Sequence, residues 1–423
     1  MQPVNARGFR DVLFEEARER ETVLAAITGV LSSWGYDPVV TPAVEEYAVL
    51  EAGMGPSLAG TAFRLIDVDG SLLALRPEMT VPIARVVASR LVGTPGPHRI
   101  RYAADVFREH ASLRGQAREF SQVGVELVGA HGPAADAEVV LLLVECLQAA
   151  GLEGFSVGVG TVAVLESLLG RAGGGAEWAD AVSAAAHARN LVELDRLASR
   201  EDLAPEIASA LREIPRLRGG REALERCGEL ARACGCAHAL DEFAELWDAL
   251  EVLGMDGCVK LDFGLMRSFG YYTGLQLEAY APGLGLPLGG GGRYDRLLAA
   301  FGAPAPAAGF ALGVERVMIA LAEQDRTPHP AGLDAVLGGE DVRALFAGSA
   351  RLREAGWRVR LAPGRVGPAL VREADHSGAA EALLAAEGAI VRVDRAGERA
   401  GALAEPLPQP PRPTWAAGAG EDG

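Results

Sequence analysis

Apolar positions in the first part of the chain form patterns that are typical of helices and of strands. Over residues 17–34 they fall three and four positions apart, which predicts an amphipathic helix that ends at Gly35. The short apolar run 38–42 predicts a strand, and the dense apolar segment 136–149 predicts a buried helix. This part of the chain is therefore expected to mix helices and strands.

Between these helices the pattern predicts antiparallel strands. The dipeptide Asp69-Gly70 separates two strand-like runs, which is the strongest short-range signal for a hairpin. A helix capped by Thr80 should follow, and two more strands are expected near 99–108 and 119–128. Antiparallel strands with helices packed against them define an α+β domain.

A long stretch without strand signal interrupts this pattern. Residues 162–253 read as one helix after another, rich in Ala, Leu, Glu and Arg. Strand-like runs return after it, and residues 309–323 predict a further helix. If the strands before and after the block belong to one sheet, the core domain is built in two parts, 1–161 and 254–325, with an inserted helical domain between them.

The remainder of the chain predicts a small α/β module at residues 333–400. Its predicted elements are one helix at 341–355 and three strands at 334–339, 357–363 and 389–395. Residues 401–423 are rich in Pro, Gly and Ala and are expected to form a disordered tail.

The charge balance and the apolar runs limit the classes of partner. The formal net charge is −17 and no run of Lys or Arg stands out, which argues against a nucleic-acid ligand because phosphate binding usually requires a basic patch. The dense apolar run at 139–144 is too short to cross a membrane. The N-terminus lacks a signal-peptide core and a transit-peptide pattern. We therefore expect a cytoplasmic protein with no membrane and no nucleic-acid partner.

Two short motifs could hold a metal or a phosphate, and neither has the required spacing. Cys227, Cys234, Cys236 and His238 match no usual zinc pattern, and five cysteines, an odd number, are typical of a reducing compartment. The glycines at 289–292 lack the spacing of a P-loop or of a dinucleotide fold. A turn or a closely approached backbone is expected there.

Charged side chains inside otherwise apolar strands are the stronger functional signal, because an unpaired buried charge costs about several kcal/mol. Gln122, Gly124 and Glu126 share one strand face, where the glycine leaves room between two polar groups. A solvated outer face is the alternative for each residue taken singly. An amino-acid ligand needs acceptors for its ammonium group, a cation for its carboxylate and a partner for its side chain. The residues that could meet this need are Glu78, Gln122, Glu126, Arg267 and a hydroxyl of the pair Tyr271-Tyr272.

Six motifs spread over residues 7–323 appear in an informative order and spacing. They are RGFRDVL, LRPEMTVPIAR, FREHASLRGQAREFSQVGVELVG, YYTG, GGGRYDRL and GFALGVERV. Together they resemble the class II histidyl-tRNA synthetase family, which includes the synthetases and the synthetase-like regulatory subunits of ATP phosphoribosyltransferase. The resemblance implies a class II synthetase-like antiparallel sheet core with helices, an inserted helical domain and a small C-terminal α/β module.

The resemblance also implies a histidine site. The implied histidine-binding residues are Glu78, Thr80, Arg108, Gln122, Glu126, Arg267, Tyr271 and Tyr272. Glu78 and Thr80 would contact the ammonium group. Glu126 and Tyr272 would contact the imidazole, and Arg267 the carboxylate. No catalytic residue, no metal and no cofactor is expected.

The departures from the synthetase pattern fall on ATP-binding positions. The synthetases have a Phe-Arg-x-Glu motif, and here its glutamate, Glu109, stands one position early. On the loop that follows, the synthetases have a Gly-Arg pair, and here Gly115 is followed by Gln116. The RPEMT motif resembles the RPDMT of the regulatory subunits. The C-terminal module is also small for an anticodon-binding domain.

We therefore expect a non-catalytic regulatory role. The implied partners are the short-form ATP phosphoribosyltransferase catalytic subunit, histidine as the feedback effector of histidine biosynthesis, and a second copy in a synthetase-like dimer within a hetero-oligomer. Arg267 and Arg316 stand where the synthetase has its catalytic and ATP-stacking arginines, so an active histidyl-tRNA synthetase is the alternative. A solitary amino-acid-binding or scaffolding protein is a third possibility.

Overall fold

The computed structural model describes residues 4–109, 117–265, 272–328, 332–386, 388–404 and 406–410. The chain divides into two compact units, Met1–Pro328 and His329–Gly423.

The first unit contains eleven helices and twelve strands among its described residues. The helices are α1 Phe14–Ser33, α2 Tyr47–Ala59, α3 Thr80–Val86, α4 Pro133–Ala149, α5 Ala163–Ala172, α6 Ala176–His187, α7 Leu191–Leu197, α8 Pro205–Glu213, α9 Arg221–Ala233, α10 Asp241–Val252 and α11 Val314–Glu323. The strands are β1 Asp37–Pro38, β2 Val44–Glu46, β3 Arg64–Ile66, β4 Leu72–Leu75, β5 His98–Phe107, β6 Glu119–Val128, β7 Ser156–Thr161, β8 Arg218–Gly219, β9 Val259–Asp262, β10 Leu275–Tyr280, β11 Gly289–Arg293 and β12 Ala307–Gly313. One π-helical turn and four short 3₁₀ turns complete it: Val87–Leu91, Ile214–Arg216, Ala237–Leu240, Met255–Gly257 and Leu298–Phe301.

A nine-stranded sheet forms the centre of this unit, in the order β1-β5-β6-β12-β11-β10-β7-β9-β8. The pairs β1·β5 and β7·β9 are parallel and all the others are antiparallel. A smaller antiparallel sheet, β2-β4-β3, contains the hairpin around Asp69-Gly70. Strands with helices against them confirm the predicted α+β fold class.

The helical block lies between two strands of the same sheet. Strand β7 precedes the block, β9 follows it, and the two pair in parallel. The block also contributes the two-residue strand β8, which pairs with β9. Sequence analysis found no strand there, because two residues that include a glycine carry no periodic signal.

Two hydrophobic cores pack in the first unit. One contains Val23, Ile27 and Leu31 of α1, the apolar side of α4 and the apolar residues of the helical block. The other contains residues of α2 and α3 together with Tyr102 and Tyr294. Because neighbouring residues of a strand point to opposite faces, Val123 and Val125 of β6 enter the first core while Gln122 and Glu126 face away from it.

Three local predictions were wrong. The glycines at 289–292 do not form a turn, because they belong to β11, an interior strand between β10 and β12. The other option, a closely approached backbone, is confirmed, since a side chain at Gly291 would meet the carbonyl oxygen of Gly309 at 1.9 Å. The helix predicted over 309–323 begins only at Val314, since the residues before it pair as β12 with β6 and β11. Thr80 does not cap α3 with its side chain. The first two errors have one cause. Strand pairing between segments that are distant in sequence formed β11 and β12, and no local pattern reveals such pairing.

The second unit is a five-stranded sheet, β14-β13-β15-β16-β17, with two helices. Its elements are β13 Ala335–Gly339, α12 Val342–Glu354, β14 Val359–Pro363, α13 Gly367–Ser377, β15 Glu381–Ala386, β16 Ala389–Val393 and β17 Arg399–Ala402. Sequence analysis missed α13, β15 and β17. The packed part extends past residue 400, because Leu403 is buried and the indole of Trp357 donates a 2.7 Å hydrogen bond to the carbonyl of Pro408. Residues 411–423 of the predicted tail lie outside the described residues.

Among the described residues, no helix combines the length and the apolar character that a membrane crossing requires.

Candidate functional site

A cavity of about 360 Å³ lies against the middle of the nine-stranded sheet. Strands β6, β11 and β12 form its base, the start of α3 forms one wall, and the first turns of α11 form another. Six of the eight residues predicted to bind histidine line it, namely Glu78, Thr80, Arg108, Gln122, Glu126 and Tyr272. Arg267 and Tyr271 lie outside the described residues.

Glu78 is fixed by the backbone at the start of α3. Its two carboxylate oxygens accept hydrogen bonds of 2.8 Å from the amides of Thr80 and Val81, so this side chain, not that of Thr80, satisfies the first amides of the helix. Burial raises the pKa of Glu78, while these amides and the nearby Arg108 pull it back. One carboxylate is therefore held rigidly at the cavity wall.

Gln122 presents an acceptor that has no partner. Its side-chain oxygen is buried and accepts no hydrogen bond within the described part of the chain. Leaving such a group unbonded costs about 1–3 kcal/mol, and buried polar atoms are bonded in the great majority of cases. Gln122 also lines the cavity, together with the carboxylates of Glu78 and Glu126, so its side-chain amide lies next to the space that a ligand could occupy.

Glu126 is the most deeply buried acid of the cavity, with 1% of its surface exposed. Its pKa is raised to about 8, with burial as the largest cause and neighbouring Glu78 as a second one, although hydroxyl donors lower it. The hydroxyl of Tyr294 donates to Oε2, and that of Tyr102 lies 3.5 Å from Oε1. At neutral pH this carboxyl group is therefore mostly protonated, and a cationic ligand would favour its ionised form.

Two glycines make room for this arrangement, although one of them does so in an unexpected way. A side chain at Gly309 would meet the Glu126 carboxylate at 2.1 Å. A side chain at Gly124 would meet the hydroxyl of Tyr102 at 2.7 Å. Gly124 was expected to leave room between two polar groups, and the hydroxyl of Tyr102 on the neighbouring strand occupies that room.

Two arginines also line the cavity. Arg108 donates from Nε to the carbonyl of Pro77 at 2.8 Å, and its guanidinium lies 5.2 Å from the ring centre of Phe120. Arg316 donates to the carbonyl of Pro287 at 2.7 Å. The cavity is therefore lined by both carboxylates and guanidinium groups. Such a lining suits a zwitterion with a cationic head and an anionic carboxylate.

Tyr102 and Tyr294 are the functional residues that sequence analysis missed. Tyr294 belongs to the GGGRYDRL motif, so its position was visible, but no local rule indicates that its hydroxyl reaches Glu126. Tyr102 faces Gly124 across the pair β5·β6. That strand register could have indicated it.

Not every charged residue singled out in the strands belongs to the site. Arg76 is buried and donates to the carbonyls of Thr41, Pro42 and Asp105 at 2.7–3.0 Å, so it holds the chain before Glu78 in place. Arg118 stacks on Phe63 at 4.2 Å. Both are structural residues beside the cavity.

The cysteine motif lies in the helical block, away from these groups. Cys227, Cys234 and Cys236 are buried free thiols, and burial raises the pKa of each. His238 is exposed. Three thiols that stay protonated are poor metal ligands.

Comparison with known proteins connects this geometry to a family. The sequence profile described as histidyl-tRNA synthetase matches residues 8–317. An ATP phosphoribosyltransferase regulatory subunit of Moorella thermoacetica is 41% identical over 358 residues, which cover 84% of this chain and 90% of that protein. The regulatory subunit of Bacillus subtilis is 37% identical over 338 residues, with coverage of 80% and 85%.

Solved structures agree. An ATP phosphoribosyltransferase regulatory subunit/histidyl-tRNA synthetase of Bacillus halodurans C superimposes with a TM-score of 0.78 at 31% identity, covering 89% of this chain and 97% of that one. A histidyl-tRNA synthetase of Nostoc sp. PCC 7120 has the same TM-score, 0.78, at 22% identity, with coverage of 94% and 96%, which shows a shared fold alone. The chain therefore belongs to the class II histidyl-tRNA synthetase-like family. Its curated relatives named above are ATP phosphoribosyltransferase regulatory subunits, which confirms the resemblance predicted from the motifs.

Proposed function

We infer that this protein is the regulatory subunit of a short-form ATP phosphoribosyltransferase, without catalytic activity of its own, and that histidine binds in the cavity described above. The observation that carries the second part is the lining of the cavity, in which two buried carboxylates, those of Glu78 and Glu126, lie together with Gln122 and Arg108. The relatives at 37–41% identity carry the first part. The setting is the cytoplasm, where histidine is made.

The cavity supports a specific orientation of histidine. The ammonium group contacts Glu78, Thr80 and Gln122. The imidazole contacts Glu126 and Tyr272. The carboxylate contacts Arg108, which lines the cavity. Arg267 and Tyr271, outside the described residues, remain part of the proposed set.

Feedback inhibition is then a linkage between this cavity and the catalytic subunit. Histidine stabilises one arrangement of the synthetase-like core and disfavours the arrangement in which the assembly is active. By reciprocity, substrates that favour the active arrangement weaken histidine binding by the same factor.

Self-association is supported by an exposed apolar face on the small sheet. Ile66 and Leu72, which pair across β3 and β4, are 80% and 41% exposed, and Val68 of the hairpin turn is fully exposed. Exposed apolar surface of this kind can mark an interface. A second copy of this chain, as in a synthetase-like dimer within the hetero-oligomer, is the proposed occupant.

Inhibition of the reconstituted complex tests the proposal. The chain is co-expressed with the short catalytic subunit of the same organism, and turnover is measured with increasing histidine. We expect one stable hetero-oligomer that histidine inhibits. Glu126→Ala should weaken histidine binding about ten- to a hundred-fold, because a hydrogen bond to a charged group is worth about 1.5–3 kcal/mol. It should relieve inhibition and leave uninhibited turnover nearly unchanged.

The alternative function predicts the opposite result in a simpler assay. An active histidyl-tRNA synthetase catalyses histidine-dependent exchange between pyrophosphate and ATP with no partner present. Robust exchange by the purified chain, or separate elution of the two chains at micromolar concentration, contradicts the regulatory assignment.

A further inference from the structure

A second cavity, here called the α1–α11 groove, lies between the first half of α1 and the outer side of α11. Its volume is about 300 Å³. Met318, Ile319 and Ala322 of α11 form its floor together with Pro328. Ile319 is 49% exposed, so the floor of the groove offers apolar surface to a partner.

The rim of the groove is acidic. Three carboxylates, those of Glu16, Glu19 and Glu315, face one guanidinium, that of Arg10. Arg10 is already paired with Glu16 at 2.5 Å. Two negative charges therefore remain around an apolar floor, which suits a segment that presents a basic side chain next to apolar ones.

The groove is joined to the histidine cavity through α11. Glu315 and Ile319 line both cavities. The Glu315 carboxylate also accepts a 3.0 Å hydrogen bond from the backbone amide of Ser121, the residue directly before Gln122. A displacement of β6 when a ligand bonds Gln122 would therefore change the position of a carboxylate at the rim.

Resting on the proposed function, we propose that the α1–α11 groove is where the catalytic subunit docks a segment that contains an arginine or lysine flanked by apolar residues. Glu315 lines both cavities and is bonded to β6, so a partner docked in the groove would contact a residue that also borders the histidine cavity. A second copy of this strongly acidic chain is a poorer match for an acidic rim, because like charges across an interface oppose association.

Two substitutions alter the groove without touching the histidine cavity. Glu19→Lys reverses one rim charge, and Ala322→Trp fills the floor from an exposed position. Matched controls lie elsewhere on α1 at exposed positions, Glu21→Lys and Ala25→Trp. The dissociation constant between each variant and the catalytic subunit is measured by calorimetry, and histidine binding by each isolated variant is measured in the same way.

We expect both groove variants to bind the catalytic subunit roughly tenfold or more weakly, as for other anchoring contacts, while the controls bind like the wild type. Histidine binding by the isolated variants should be unchanged. For the wild-type complex, affinity should fall as salt rises, and less steeply in Glu19→Lys.

Each contrary result has its own meaning. Groove variants that bind the catalytic subunit like the wild type overturn the docking proposal and leave the proposed function intact. A wild-type chain that binds no catalytic subunit overturns the proposed function. If the groove variants instead dissociate a dimer of the isolated chain, the groove serves a second copy and the proposal is wrong.

Discussion

Asp136 and Glu126 are both buried carboxylates of the same unit, but their surroundings differ. Asp136 of α4 accepts two hydrogen bonds from the Arg293 guanidinium, at 2.6 and 2.9 Å. Glu126 of β6 is bonded by tyrosine hydroxyls and lines a cavity. The first carboxylate is neutralised by a cation within the fold, whereas the second is bonded by neutral hydroxyl donors in the part of the chain that the structure describes.

This difference separates a structural charge from a functional one. A closed ion pair leaves nothing for a ligand to do, and removing one partner exposes the other to the full cost of burial. An acid held by hydroxyls alone lowers the stability of the fold when it ionises and so favours a ligand that brings positive charge. Burial alone would not have distinguished the two.

The largest expected effect comes from breaking the closed pair. Asp136→Ala should lower the free energy of unfolding by about 3–5 kcal/mol, because Arg293 would remain buried with less compensation. Urea unfolding at pH 7 measures the loss. The double variant Asp136→Leu with Arg293→Met should recover most of it. A loss of the same size in the double variant would show that the helix and not the charge was damaged.

The second expected effect is an increase in the free energy of unfolding. The pKa of Glu126 is about 8 in the fold against an ordinary 4.5, so its contribution to stability is fully present below pH 4.5 and is lost as pH rises toward 8. Glu126→Gln should therefore raise the free energy of unfolding at pH 7 by up to about 3 kcal/mol. It should also flatten the fall in stability between pH 5 and 8.

Thermal unfolding of the wild type and the Gln variant across that pH range checks this, with the exposed Glu21→Gln as control. Equal pH slopes in all three proteins would mean that Glu126 is already ionised in the fold, and the contrast with Asp136 would disappear.

The smallest expected effect is a change in stability when Gln122 of the cavity is replaced. Gln122→Met keeps the shape of the side chain and removes the unbonded oxygen, so the ligand-free protein should gain about 1 kcal/mol in stability. Histidine affinity should fall in the same variant. Chemical unfolding gives the first quantity and calorimetry the second. A less stable variant would indicate that the oxygen is bonded in solution.

The sequence was informative where a local pattern and the family motifs pointed the same way. The strands β5 and β6, the helices α1 and α4, and the positions of Glu78, Gln122 and Glu126 were all visible before the structure. The strands β11 and β12 were not, because glycine-rich and small apolar segments have no period of their own and become strands only when distant partners pair with them.

The same limit applies inside the site. The two tyrosines that bond Glu126 come from β5 and from the segment after β11, and only the three-dimensional arrangement brings them to one carboxylate. The acidic groove has no motif, since its residues are separated by about three hundred positions along the chain. Packing between two helices creates that groove, and no short segment of the sequence predicts such packing.

Strand β11 begins with four glycines, so the centre of the sheet contributes almost no side chains on the face where the cavity lies. A bound amino acid would supply contacts that core residues supply elsewhere in a protein. Its binding energy then becomes part of the fold's own stability, and at a hundred times its dissociation constant it would add about 2.7 kcal/mol. The lifetime of such a protein in a cell, through its exposure to proteases, would follow the supply of the metabolite it senses.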